Sequence, residues 1–264
     1  MAQKRYLFTP GPTPVPPQVL AALAEPVLHH RAPDFREVYA RVLGRLKEVH
    51  RTENEVLLFT CSGTGAFESA IVSLCSPGER VLAVSAGSFG DRWVSMAKTY
   101  GCDVEELRYA WGDTPTAEDL RAKLDSIEPV SLVFLVHSET STGVVADIQS
   151  LAAVARDAGA LVVVDAVSSL GAVPLEMDDW GLDVVVSGSQ KALMAPPGLA
   201  TAAVSPAAWE QVERSTLPSF YFDWQRTRKA QPCSSEASWC ESSSWAGALG
   251  ALPTSPMDAR RMRV

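Results

Sequence analysis

Three short stretches of this 264-residue sequence bring together residue types that could do chemistry. The first, Ser62-Gly63-Thr64-Gly65, is a glycine-rich turn. It lies between the apolar run 56–59 and a helical pattern through Glu68, Ile71, Val72 and Leu74. A helix opening on such a turn presents unpaired backbone N–H groups and the positive end of its dipole, which suits a phosphate. Taken alone, the turn reads better as a tight strand–helix connection with no ligand. The second stretch places Asp165 directly after the buried-looking run 161–164. A carboxylate there needs a cation or hydrogen bonds to stay ionised. It could as well cap a short following helix, and the residues leave these two readings even. In the third, Lys191 follows Val184-Val185-Val186-Ser187-Gly188-Ser189-Gln190 and precedes Ala192, Leu193 and Met194. Most lysines are solvated surface groups. One desolvated beside a core strand is a nucleophile for carbonyls.

The elements that must position these residues follow from hydrophobic patterning. The runs 56–59, 81–84, 132–136, 161–164 and 184–186 are continuous and Val-rich rather than alternating. That is how strands covered on both faces read. Helical patterns lie between them. Asp34 is placed to cap a helix through Phe35, Val38, Tyr39, Val42, Leu46 and Val49. Pro115-Thr116 opens another, to about Ile127. Asp147 opens a third through Leu151, Val154 and Ala155, which Gly159 ends. Strands alternating with helices predict an α/β doubly wound domain with a mainly parallel sheet, where ligands sit at the carboxyl ends of the strands.

Composition narrows the function classes. Lys+Arg 23 against Asp+Glu 31 gives a net charge of −8. So acidic a chain is not expected to bind nucleic acid, which needs a basic footprint, or an anionic membrane surface. No apolar run approaches the roughly 18 residues of a membrane span, and the first residues carry no apolar leader pattern. A cytoplasmic, reducing compartment is expected, because the five cysteines include no CxxC pair. The four histidines lack HExxH-like spacing, so no metal is expected. A nicotinamide-binding turn would need a third glycine where Glu68 stands and an acid where the run 81–84 meets Ser85. Both requirements fail.

Read together, a phosphate cradle, a carboxylate and a lysine at strand ends of one sheet match the needs of pyridoxal phosphate. Its phosphate needs backbone donors, its ring nitrogen an anion, and its aldehyde an amine. The sequence resembles the class V aminotransferases of fold type I, most closely the alanine–glyoxylate/serine–pyruvate branch. The stretches that carry the resemblance are Thr9-Pro10-Gly11-Pro12-Thr13, His30-Arg31, Ser62-Gly63-Thr64-Gly65, Glu139-Thr140-Ser141-Thr142-Gly143, the segment 164–171, and Ser187-Gly188-Ser189-Gln190-Lys191 continuing to Pro197-Gly198. The resemblance implies a seven-stranded, mainly parallel sheet between helices. It implies that Lys191 carries the Schiff base and shuttles the proton, and that Asp165 partners the ring nitrogen. Thr64, Gly65 and Ala66, helped by Gln190, would hold the phosphate. Phe89 would stack on the ring, although outside the family it reads as an ordinary core aromatic. Thr140 would bond the ring hydroxyl, and the backbone of Gly11 would approach the substrate carboxylate. The implied reaction is a ping-pong transfer of an amino group from a small amino acid, serine or alanine, to a 2-oxo acid such as glyoxylate or pyruvate, in a homodimer.

The resemblance divides the chain into an N-terminal arm (1–20), a cofactor domain (21–231) and a tail (232–264). The tail holds seven Ser but, of the Val/Ile/Leu/Phe set, only Leu249, Leu252 and Val264. It is expected to be disordered. Family members continue instead with a Thr–Pro segment and a small C-terminal domain carrying a carboxylate-binding Arg. Relative to them the chain reads as C-terminally truncated or frameshifted, and weak cofactor binding and impaired transamination are expected of it. The alternatives are another class V enzyme such as a cysteine desulfurase, for which Cys233 and Cys240 have no supporting motif, and a non-catalytic fragment.

Overall fold

The computed structural model describes residues 7–231. The expected tail, 232–264, lies outside the described residues. The elements run, in chain order, α1 (Pro17–Leu23), α2 (Pro33–His50), β1 (Glu55–Phe59), α3 (Gly63–Leu74), β2 (Arg80–Ser85), α4 (Ser88–Thr99), β3 (Asp103–Arg108), α5 (Ala117–Asp125), β4 (Leu132–Val136), β5 (Ser138–Glu139), β6 (Val144–Val145), α6 (Ile148–Asp157), β7 (Leu161–Asp165), β8 (Val184–Gly188), β9 (Ala200–Val204), α7 (Pro206–Arg214) and α8 (Trp224–Ala230).

Seven strands form one sheet in the order β1-β9-β8-β7-β4-β2-β3, and β5 and β6 form a separate small hairpin. Only β9 runs against its neighbours in the large sheet; the pairs β8–β7, β7–β4, β4–β2 and β2–β3 are parallel. The Val-rich runs become β1, β2, β4, β7 and β8, as their patterning predicts. Successive strand residues alternate between two cores. On one face Leu57, Val81, Phe134, Val163 and Val186 pack with α3, α4, α7 and α8; on the other Val56, Leu82, Val133, Val164 and Val185 pack with α5 and α6. Covering on both faces removes any need for polar residues along these strands, which is why the runs are continuous. Trp93, wholly buried, lies between Phe67 and Phe134 at centroid distances of 4.2 and 4.6 Å. Each such stack adds about 0.5–1.5 kcal/mol beyond its burial. Together they clamp α3 and α4 to the sheet.

Helix ends follow local chemistry. Thr116 and Asp147 cap α5 and α6 by accepting from Asp119 N–H and Ser150 N–H, and Gly159 follows α6 with φ 81°. Asp34 corrects one expectation. The N-cap of α2 is Ala32, Pro33 opens the helix, and Asp34 sits inside the first turn. Proline's fixed φ and missing N–H suit the first helical position, which moves the start two residues upstream. Two strands have no continuous apolar run. β3, Asp-Val-Glu-Glu-Leu-Arg, is a sheet edge and needs little apolar cover. β9, Ala-Thr-Ala-Ala-Val, lies between β1 and β8 and is wholly buried. Its small residues have weak strand preference, and pairing on both sides overrides it.

Candidate active site

The parallel strands β1, β2, β4, β7 and β8 all end on one edge of the sheet, and the chemistry-bearing residues follow those ends. Asp165 is the last residue of β7 and is only 3% exposed. Its Oδ1 accepts from Val167 N–H at 2.8 Å. Burial pushes its carboxyl up to about 7. The Val167 hydrogen bond opposes that rise, the Glu139 carboxylate adds to it, and Arg92 and Lys191 pull it back. Asp165 therefore lies in reach of two cations, yet is too desolvated for them to hold it fully ionised.

Lys191 follows β8 in a loop tied to itself. Met194 N–H donates to Lys191 O, Ala195 N–H to Ser189 O, and Ser189 Oγ to Pro196 O. Met194 takes the left-handed conformation, φ 53°. That conformation is costly for a non-glycine residue and is held here by the loop's own bonds. Half-burial lowers the Lys191 amine below the ordinary lysine value; Asp165 opposes the shift and Arg92 adds to it. A lowered pKa is the condition for an amine that must act as nucleophile and base.

The N-terminal segment crosses this lysine. Thr13 N–H donates to Gln190 O at 3.0 Å, and Thr13 Oγ1 to Lys191 O at 2.8 Å. A Cβ on Gly11 would stand 2.2 Å from Lys191 Cδ and 2.9 Å from Nζ. Only a glycine lets the backbone lie on the lysine side chain. Gly11→Ala is expected to keep the fold, since Lys191 can swing away. It should lower the rate at which Lys191 reacts with an aldehyde by about tenfold or more, because misplacing a reacting group by 1 Å can cost about 100-fold. Borohydride fixation of pyridoxal phosphate, followed by peptide mass spectrometry, reads this directly. An unchanged fixation rate would remove Gly11 from the site.

At the end of β1, Ser62 is the N-cap of α3 and no side chain caps the helix. Ala66 N–H, expected to help hold a phosphate, already donates to Ser62 O. The N–H groups that α-helix geometry leaves free are those of Gly63, Thr64 and Gly65. The crowding there is severe. A Cβ on Gly63 would meet Val167 at 2.8 Å, and one on Gly65 would meet Cys61 Cβ at 2.7 Å. Gln190 Oε1 is buried without a partner, 3.2 Å from where a Cβ on Gly188 would stand. Amide orientation is interchangeable, so this group can offer its NH2 to an anion. A free helix N-terminus, small residues that keep it open and an unsatisfied amide are what a phosphate needs. The residues present fit the pyridoxal phosphate that the sequence suggests.

Phe89, on the first turn of α4, is half-buried and belongs to neither core, so the core-aromatic alternative does not hold. The Arg92 guanidinium lies over its ring, 4.7 Å from the centroid, and donates to Thr64 Oγ1 at 2.8 Å. Thr140 Oγ1 shares a 2.6 Å hydrogen bond with Ser168 Oγ. Two residues without an assigned role turn out to organise the site. Glu139, 4% exposed, accepts from the Phe89 and Gly90 N–H groups at 3.0 and 3.2 Å and so caps α4 with a carboxylate. It also accepts from Ser141 Oγ at 2.5 Å. Arg92 is the other. Its signal in the sequence is the spacing of one helical turn from Phe89, which puts both on one face.

The family model described as aminotransferase class-V matches residues 5–238, a little past the Gln231 where the motif resemblance ends. A protein described as soluble hydrogenase, small subunit, from Synechococcus sp. is 45% identical over 87% of the chain and 60% of its own length. The L-aspartate–glyoxylate aminotransferase of Paracoccus denitrificans is 40% identical over 84% of the chain and 58% of its own length. The crystal structure of an alanine–glyoxylate aminotransferase from Nostoc sp. superposes with a TM-score of 0.84 at 34% identity, over 88% of this chain and 62% of that one. The chain thus spans about 60% of the length of the relatives it matches. With a family match through all the described residues and a fold shared with a solved member, the chain belongs to the class V aminotransferases.

Proposed function

We propose that this chain forms the cofactor-binding part of a pyridoxal-phosphate-dependent transaminase. It would move an amino group from a small amino acid (serine, alanine or aspartate) to a 2-oxo acid such as glyoxylate or pyruvate. The observation that carries the reading is the convergence of Lys191, Asp165 and Gly11 at one sheet edge, with the amine of Lys191 lowered by burial. Lys191 Nζ would hold the cofactor's aldehyde. The free N–H groups of Gly63, Thr64 and Gly65, with the Gln190 amide, would hold its phosphate. Phe89 would lie against the ring, Thr140 would bond its hydroxyl, and Asp165 would accept from its ring nitrogen. When bound, the cofactor supplies an electron sink for the substrate Cα. The chain's own part is proton handling and orientation. Lys191 Nζ takes the proton from the substrate Cα and returns it, and Gly11 keeps the backbone close enough to position the substrate carboxylate.

The proposal extends to a domain division at about residues 20 and 231, to a cytoplasmic setting and to a homodimer. Apolar side chains left exposed along the N-terminal region, among them Leu20, Leu23, Val27 and Leu28, support the last. A desulfurase would need an activated thiolate. The cysteines that could supply it after the lysine, Cys233 and Cys240, lie outside the described residues. The test is to load the 264-residue chain with pyridoxal phosphate, add serine, alanine or aspartate with glyoxylate, and assay glycine together with the 2-oxo acid product. Glycine formation that depends on the cofactor supports the reading. Binding of pyridoxal phosphate followed by sulfide release from cysteine, or no saturable binding at all, overturns it.

A further inference from the structure

Arg92 stands at the mouth of the cradle with most of its hydrogen-bonding capacity unused. One terminal nitrogen donates to Thr64 Oγ1, and its plane lies over Phe89. Among the described residues it forms no ion pair with a carboxylate. Arg108, which also reaches α4, is by contrast held by both Asp91 and Glu106. A guanidinium carries five donors in a rigid fork whose geometry matches a phosphate. Thr64 takes one of them and so fixes the fork beside the free N–H groups that open α3. The aromatic face of Phe89 supports the cation further.

Charge balance points the same way. The buried acids of the site are Asp165 and Glu139. The cations that act on Asp165 are Arg92 and Lys191. An aldehyde would engage Lys191, while a phosphate would add about two negative charges. Arg92 is then the cation left to balance them.

We propose that Arg92 is an anion-binding residue of this site, gripping the phosphate of the cofactor while Thr64 and Phe89 hold its guanidinium in place. This rests on the reading of the site as a pyridoxal phosphate site. The test compares pyridoxal phosphate with pyridoxal, which lacks the phosphate, in equilibrium titrations of the full 264-residue chain followed by tryptophan fluorescence. Wild-type protein should prefer the phosphorylated form. Arg92→Gln should reduce that preference by about tenfold or more, the size of one charge-assisted hydrogen bond, with pyridoxal affinity falling by much less than that of the phosphorylated form. Arg92→Lys, which keeps the charge but loses the fork, should retain part of the preference, and it carries the comparison if the Gln variant does not fold. A preference altered less than about threefold, or equal weakening of both ligands, would overturn the assignment; equal weakening would make Arg92 a structural support for α4. Wild-type protein that binds neither ligand would overturn the cofactor reading itself.

Discussion

Lys191→Ala should leave a folded chain that no longer fixes pyridoxal phosphate on borohydride reduction and transaminates at least about 100- to 10,000-fold more slowly, the range that a positioned proton-transfer group contributes. The loss should be specific. Half-burial already disfavours the charged amine, so its removal is not expected to unfold the sheet edge. The loop around it is closed by backbone bonds and by Ser189 Oγ, none of which involves the lysine side chain. The variant also removes one of the two cations acting on Asp165, which should then titrate still higher. Peptide mass spectrometry after reduction separates the outcomes. Label found at another lysine in wild-type protein would take Lys191 out of the reaction.

Asp165→Asn should act in opposite directions on stability and on cofactor binding. In the folded chain burial raises the carboxyl to about 7, against an ordinary value of 3.8. As pH rises through the ordinary value, the unfolded chain gives up its proton while the folded chain keeps it. Stability without cofactor is therefore full below about pH 4 and falls as pH approaches 7, by up to about 4 kcal/mol. Asn keeps the acceptor for Val167 N–H and cannot ionise, so the variant should lose this pH dependence and melt at a higher temperature at pH 8. A bound ring with a protonated nitrogen would supply the missing cation. The same substitution should therefore weaken pyridoxal phosphate binding by about 10- to 100-fold, the worth of a charge-assisted hydrogen bond. Melting curves from pH 4 to 8 for both chains check the first half, and fluorescence titration checks the second. Parallel pH profiles would show that Asp165 is not the desolvated acid described here.

The two substitutions bear on residues that sequence alone could nominate. A lysine or an aspartate at the end of a Val-rich run is visible because burial on both faces leaves strands β7 and β8 without polar positions until they end. The same reasoning locates β1, β2 and β4. It passes over β9, whose Ala-rich composition carries no local strand signal and whose strandhood comes from its two partners. It also passes over β3, where an edge tolerates glutamates. The family motifs implied a count of seven strands and the roles; periodicity located five strands.

Residue types, strand ends and the phosphate-like turn were determined by the sequence itself, because covalent neighbours and periodic burial are local properties. The meeting of Gly11 with Lys191 was decided only by the tertiary structure, as was that of Glu139 with the N-terminus of α4 and of Arg92 with Thr64. Each joins segments far apart in the chain, and each depends on the sheet order that places β8 beside β7 and α3 beside α4. Nothing in the spacing of Gly11 and Lys191, 180 positions apart, encodes that contact. The absence of a Cβ at Gly11 acquires its meaning only when the folded chain lays that backbone across the lysine.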